Sequence, residues 1–256
     1  MRTILGATLR SLAFLTRLPA PKWAFSGTHS LGADAVAFPL AGVLAALPAA
    51  LVLVLANAAG LSPLVPALLA VAILIAVTGA LHEDGLADVA DGLGGHHPPE
   101  RTLQIMKDSR IGSYGTLALI LSVGLRVGLV AHLLLSGAEA AALALVATAA
   151  ASRGAMVWLW SSLPSANPGG VAGRAGQPDP RTGLLALLLG LAVFLVLAMA
   201  SFGLWKPFAG LGLGAVVLLW FRGFVRRRLG GQTGDCLGAA QQLTEIAVLI
   251  GLALGG

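Results

Sequence analysis

LHEDGLADVADGLGGHHPPERTLQIMKDSR, residues 81–110, carries Glu83, Asp84, Asp88, Asp91, Glu100 and Asp108, six of the chain's 11 acidic residues, and lies between long apolar runs. The composition around it sets the fold class. Of 256 residues, 57% are hydrophobic and 11% charged, and the mean hydropathy is +0.89, whereas about a quarter of the residues in soluble domains are charged. Such a chain is a membrane protein. At about 20 apolar residues per crossing, its length allows roughly six to eight spans and leaves no room for a separate soluble domain. Hydrocarbon requires each backbone polar group to be satisfied internally, and the runs lack the period-two alternation of barrel strands, so the spans are helices. The expected fold is all-α: a single integral membrane domain over residues 1–256, built as a polytopic helical bundle of about seven transmembrane helices with an N-terminal interfacial helix. The 34 glycines suit close helix packing in lipid. Cys236 is the only cysteine, which excludes an intramolecular disulfide and a thiolate metal cluster.

Working outward, residues 1–33 mix Arg2, Arg10, Arg17 and Lys22 with an amphipathic apolar pattern, which predicts a helix lying in the interface. Spans are predicted over 35–56, with Pro39 and Pro48 as kinks, then 64–81, 114–135, 138–160, 184–204, 208–224 and from 237 to the C-terminus. With a cytoplasmic N-terminus, the loops at 82–112, 161–182 and 222–236 fall on one side, and they hold Arg101, Lys107, Arg110, Arg174, Arg181 and the Arg222, Arg226, Arg227, Arg228 cluster. The opposite connections carry only Glu139 and Lys206 at their margins, so the positive-inside rule and the span count agree. The net charge of +5 therefore reports topology rather than nucleic-acid binding. The acidic stretch is placed on the cytoplasmic face.

Asp84, Asp88 and Asp91 are spaced i, i+4 and i+7, so they share one face if the second span continues as a helix through Asp91. Like charges so placed repel, and a cation relieves them; hard carboxylate oxygens select Mg²⁺ or Mn²⁺. Such a site suits transfer from a diphosphate, where a metal offsets developing charge and fixes the leaving group. Glu83 is the fourth candidate metal ligand, and His82 is a candidate ligand or acid/base. Salt bridges solvating a helix end are the structural alternative. Lys107, Asp108, Ser109 and Arg110 precede the third span and form a candidate phosphate clamp. Arg153 lies inside the fourth span and needs a partner, either a carboxylate or a substrate phosphate; Arg126 sits deeper with no evident mate. In GGQTGDCLGA, residues 230–239, Thr233 offers a hydroxyl and Asp235 a further ligand or a base, while Glu245 enters the last span.

TGALHEDGLADVADGLGG followed by IMKDSRIGSYG, with SR in a later span and GGQTGDCLGA near the end, resembles the cobalamin synthase, or adenosylcobinamide-GDP ribazoletransferase, family. FLTRLPAP and AFPLAGVLAAL extend the resemblance over nearly the whole chain. It implies that α-ribazole, or its 5′-phosphate, attacks the adenosylcobinamide-GDP diphosphate, releasing GMP and forming adenosylcobalamin or its 5′-phosphate. It also implies Mg²⁺ dependence and a multi-pass protein of the bacterial cytoplasmic (inner) membrane with the site facing the cytoplasm; homo-oligomerisation is left open. A CDP-alcohol phosphatidyltransferase-like enzyme would need wider Asp spacing and an Arg after Ala87. An ion-coupled transporter would carry its ionisable residues near the bilayer midplane in broken helices.

Overall fold

The computed structural model describes residues 3–255, and all their regular structure is helical. In chain order the helices are α1 (Ile4–Leu15), α2 (Leu31–Asp34), α3 (Phe38–Ala58), α4 (Leu64–Thr78), α5 (Leu81–Gly94), α6 (Pro99–Ile105), α7 (Ser113–Leu133), α8 (Ala138–Ser162), α9 (Val171–Arg174), α10 (Pro180–Phe202), α11 (Trp205–Leu229) and α12 (Gly234–Ala253). Six of the described helical segments are long and apolar enough to cross a membrane, and α4 with α5 makes a seventh if that bent pair counts as one broken span.

Two spans form the centre. The apolar window of α8 is 89% buried and that of α12 is 78% buried, against 28% for α10 and α11, so α8 and α12 are surrounded by protein while the others keep a lipid-facing side. Small residues make this possible: Gly154 of α8 leaves room for the Ala186 carbonyl of α10, and a Cβ on Gly251 of α12 would collide with the Gly210 backbone of α11.

The second span ends earlier than its hydropathy suggests. Gly79 and Ala80 both adopt left-handed backbone angles, φ 64° and 60°, and the chain turns by 88° between α4 and α5. Ala80 is the only non-glycine residue with positive φ among those described, a conformation that costs roughly 1–2 kcal/mol. The acidic segment is thus not a straight continuation of the span but a separate helix: its first turn meets Arg126 inside the bundle, and its second half, from Asp88 on, reaches the loop ahead of α7, beyond the six long apolar helices. Asp84, Asp88 and Asp91 still share a face, because α5 itself supplies the helical register.

The N-terminal helix carries a pairing that its local sequence does not announce. The Arg10 guanidinium is buried against protein, donating to both Asp34 oxygens at 2.6 and 2.7 Å and to the Ala24 carbonyl at 2.6 Å. That bidentate pair pins α1 to the start of the first span. Arg2 lies outside the described residues.

A buried ion network fixes α5 to the bundle. Arg126 of α7 reaches Glu83 of α5 at 2.7 Å and Glu245 of α12 at 3.1 Å. Gln242 donates to Glu83 at 3.1 Å, Gln241 donates to Glu245 at 2.6 Å, and Arg153 of α8 stands 3.7 Å from Glu245. Two arginines and two glutamates balance, and four helices are held by one charge cluster. Removing one member strands its partner, so Arg126→Ala should cost about 3–5 kcal/mol, and Glu83→Gln with Arg126→Gln together should lose clearly less than the sum of the single changes. Thermal unfolding of the detergent-solubilised protein measures both; additive losses would show that the pair is not coupled.

Candidate active site

Where α5 crosses α12, side chains are missing from both surfaces. A Cβ on Gly85 would stand 2.8 Å from the Asp235 carbonyl oxygen, and one on Gly238 would stand 3.2 Å from His82 Cα. The close approach brings the first turn of α12 against α5, next to Asp84. Thr233 caps α12: its hydroxyl oxygen accepts from the Cys236 amide at 3.3 Å, which fixes the turn that presents Asp235. The loop after α8 pairs with the same turn, since Ala166 donates to the Gln232 carbonyl and Gln232 to the Pro164 carbonyl, both at 2.8 Å. The three segments that charge assigned to one side therefore do meet at one end of the bundle.

The acidic and cationic groups expected to act together divide among different partners. Asp84 is exposed and Asp88 half-buried, and both line a cavity of about 460 Å³ with Lys107, Asp108, Ser109 and Arg110. Asp88 is pushed up to about 7, first by burial and then by the charges of Asp84, Asp235 and Asp91. Asp91 is drawn elsewhere: its oxygens accept from the Gly112 and Gly115 amides at 2.7 and 2.8 Å, so the N-terminus of α7 answers its charge. Glu83 points into the ion network, where Arg126 takes the place the sequence reading gave to a metal. Arg153, for which the sequence left a carboxylate or a substrate phosphate as partner, is 1% exposed and finds the carboxylate, sharing Glu245 with Arg126. His82 is 2% exposed, with Nε2 unpartnered among the described residues.

In the exposed loop, Arg110 folds onto Asp108, with Nη2 2.6 Å and Nε 3.0 Å from its oxygens, and those hydrogen bonds hold the Asp108 carboxyl down to about 2. An ion pair this exposed contributes little to stability and opens readily. Lys107 and Ser109 have no such local partner and share the cavity with Asp84 and Asp88.

Arg126 is the residue that sequence reasoning underrated. Its mates Glu83 and Glu245 are 43 and 119 positions away in the chain, so no local spacing marks them. The signal available was the presence of Arg126, Gln241, Gln242 and Glu245 within apolar segments.

No three His, Cys, Asp or Glu side chains among the described residues stand close enough to make a ready metal cage. Mg²⁺ commonly takes only one or two carboxylates, keeps several waters and draws its remaining ligands from substrate phosphates. Asp84 and Asp88, mutually repelling and facing Lys107 across the cavity, fit that donor set.

The family model described as cobalamin-5-phosphate synthase matches residues 7–253. Adenosylcobinamide-GDP ribazoletransferase of Rhizobium meliloti is 49% identical over 260 residues, covering 99% of this chain and 98% of the relative. The proteins of that name from Brucella canis and Brucella suis are each 47% identical over 253 residues, covering 98% of this chain and 97% of theirs. No solved structure matches the chain.

The crowding of carboxylates has a measurable consequence. With its folded value above the ordinary 3.8, Asp88 favours the fold at acid pH and loses that contribution as pH rises through about 7. In cation-free buffer the melting temperature should fall more steeply between about pH 5 and about pH 8 for the wild type than for Asp88→Asn. Equal slopes would show that Asp88 is not crowded.

Proposed function

The chain belongs to the cobalamin-5-phosphate synthase family and transfers ribazole to adenosylcobinamide-GDP, and we propose that the transfer runs on the outer face of α5, with Asp84 and Asp88 holding Mg²⁺ or Mn²⁺. The observation that carries this reading is the cavity in which these two carboxylates face Lys107, Ser109 and Arg110. Bound there, the cation offsets charge on the diphosphate and on the departing GMP. Lys107 and Arg110 bind the phosphate oxygens, with Arg110 exchanging Asp108 for the substrate. Asp235, beside Asp84, accepts the proton of the attacking hydroxyl. The acceptor oxygen forms a bond to the phosphorus that stays with the cobinamide, the bond from that phosphorus to the bridging oxygen breaks, and GMP leaves with the electron pair. Asp91 acts by holding the start of α7, and Thr233 by holding the turn that carries Asp235.

The proposed setting is the bacterial cytoplasmic membrane, with the site facing the cytoplasm. The asymmetry of Lys and Arg between the two sets of loops supports that orientation. Substrate and product nucleotides are cytoplasmic solutes, which fits the same side.

Purified protein in detergent or lipid should couple α-ribazole to adenosylcobinamide-GDP only with Mg²⁺ or Mn²⁺ present, and EDTA should abolish turnover. Asp84→Asn and Asp88→Asn should each lower kcat by about a hundredfold or more with the protein still folded. Metal-independent coupling, or near wild-type rates in both variants, would overturn the assignment. Lys107→Ala should raise the KM for adenosylcobinamide-GDP about tenfold and leave that for α-ribazole nearly unchanged.

A further inference from the structure

A second cavity, of about 230 Å³, lies on the other side of Asp84. Its walls include Phe14 of α1, Phe38 of α3 and Trp160 of α8, and His82, Asp84 and Asp235 line it as well. The aromatic rings form a continuous run, with centroids 6.3 Å apart between Phe14 and Phe38 and 6.2 Å between Phe38 and Trp160. Two buried ring nitrogens in this wall, His82 Nε2 and Trp160 Nε1, have no hydrogen-bond partner among the described residues, although each side chain is only 2% exposed. An unmet buried polar atom costs about 1–3 kcal/mol, so these two nitrogens call for a ligand with polar atoms.

We infer that this cavity is the subsite for the acceptor nucleoside: the planar base lies among Phe14, Phe38 and Trp160, and the ribose is directed toward Asp84 and Asp235. The assignment rests on the ribazole-transfer reading for the identity of the nucleoside. Three features select a planar heterocycle. The wall is aromatic, and flat π-systems stack on such walls. The indole N–H donates only, while His82 Nε2 donates or accepts according to tautomer, so the ligand must offer hydrogen-bonding atoms as well as an apolar face; a lipid acyl chain offers none. The volume falls below the roughly 300–1,000 Å³ usual for ligand sites, which admits one bicyclic ring system and excludes a corrin macrocycle. Because Asp84 borders both cavities, acceptor and diphosphate donor meet at one carboxylate. Donor cations lie on one side and the aromatic slot on the other.

Ala175, half-buried at the end of α9, lines the slot from a loop and tolerates substitution better than a residue inside a span. Ala175→Phe should fill the slot and raise the KM for α-ribazole at least about tenfold while the KM for adenosylcobinamide-GDP stays within about twofold. Trp160→Phe, which keeps an aromatic wall but removes the N–H, should raise the α-ribazole KM by about three- to tenfold. On the unaltered protein, α-ribazole bearing a photoactivatable azide on its base, with and without donor, should label the peptides around Trp160 or residues 171–175. Acceptor KM values unmoved in both folded variants, a donor KM that rises instead, or labelling confined to residues 106–112 would each overturn the subsite. Labelling in the slot together with metal-independent coupling would leave the subsite standing and overturn the metal site.

Discussion

The contact on which the rest depends is the buried pairing of Arg126 with Glu83 and Glu245. Charges at that depth are costly, and a lone one would be excluded from the fold. Here each is answered by an opposite charge and by amide groups, Gln242 for Glu83 and Gln241 for Glu245. The cluster is worth less as stability than as geometry, because its ion pairs tie α5, α7, α8 and α12 together at fixed positions. A slip of α5 by one residue would carry Glu83 away from Arg126 and turn another side chain inward. The register of the acidic helix is therefore set from inside the bundle, by a residue adjacent in sequence to Asp84.

That adjacency divides α5 into two faces. Glu83 and His82 face the protein, while Asp84 and Asp88 face the outer cavity. Among the described residues the outer pair has no cationic side chain bound to it, and the crowding that raises Asp88 is the counterpart of the balance achieved inside. Asp91 belongs to neither arrangement: the amides at the start of α7 take its charge and tie the end of α5 to the loop that carries Lys107 and Arg110. The two halves of residues 81–110 thus share one cavity because Asp91 joins them.

Much of this was legible in the chain. Hydropathy gave the spans, since a lipid-facing surface must be apolar along its whole length, and the i, i+4, i+7 spacing gave one face of aspartates whether or not the helix ran on from α4. The bend at Gly79 and Ala80 was not legible, because a lone glycine followed by alanine carries no proline or turn cluster; the right angle is imposed by packing on α12, where Gly85 and Gly238 allow contact. The partners of Arg10 and Arg126 were hidden for a common reason. A span or an amphipathic helix shows that an arginine is out of place but does not reveal which distant carboxylate will meet it, and Asp34, Glu83 and Glu245 lie far off in sequence. The aromatic slot was invisible for a similar reason, as Phe14, Phe38 and Trp160 look like ordinary apolar residues until three helices bring them together.

The right angle between α4 and α5 has a further consequence for charge. Along a helix continuing straight out of the membrane, residues i and i+4 would differ in depth by about 6 Å, so Asp84 and Asp88 would face environments of different polarity. With α5 turned by 88° relative to α4, Glu83 instead meets Arg126 in the middle of α7 while Asp91 meets the amides at its start, so α5 runs alongside α7 and leads from the ion network out to the cavity that Asp84 and Asp88 line. The left-handed residue at Ala80 is the local strain that this placement requires, and the ion network behind Glu83 is what keeps the strained turn from relaxing into a straight helix.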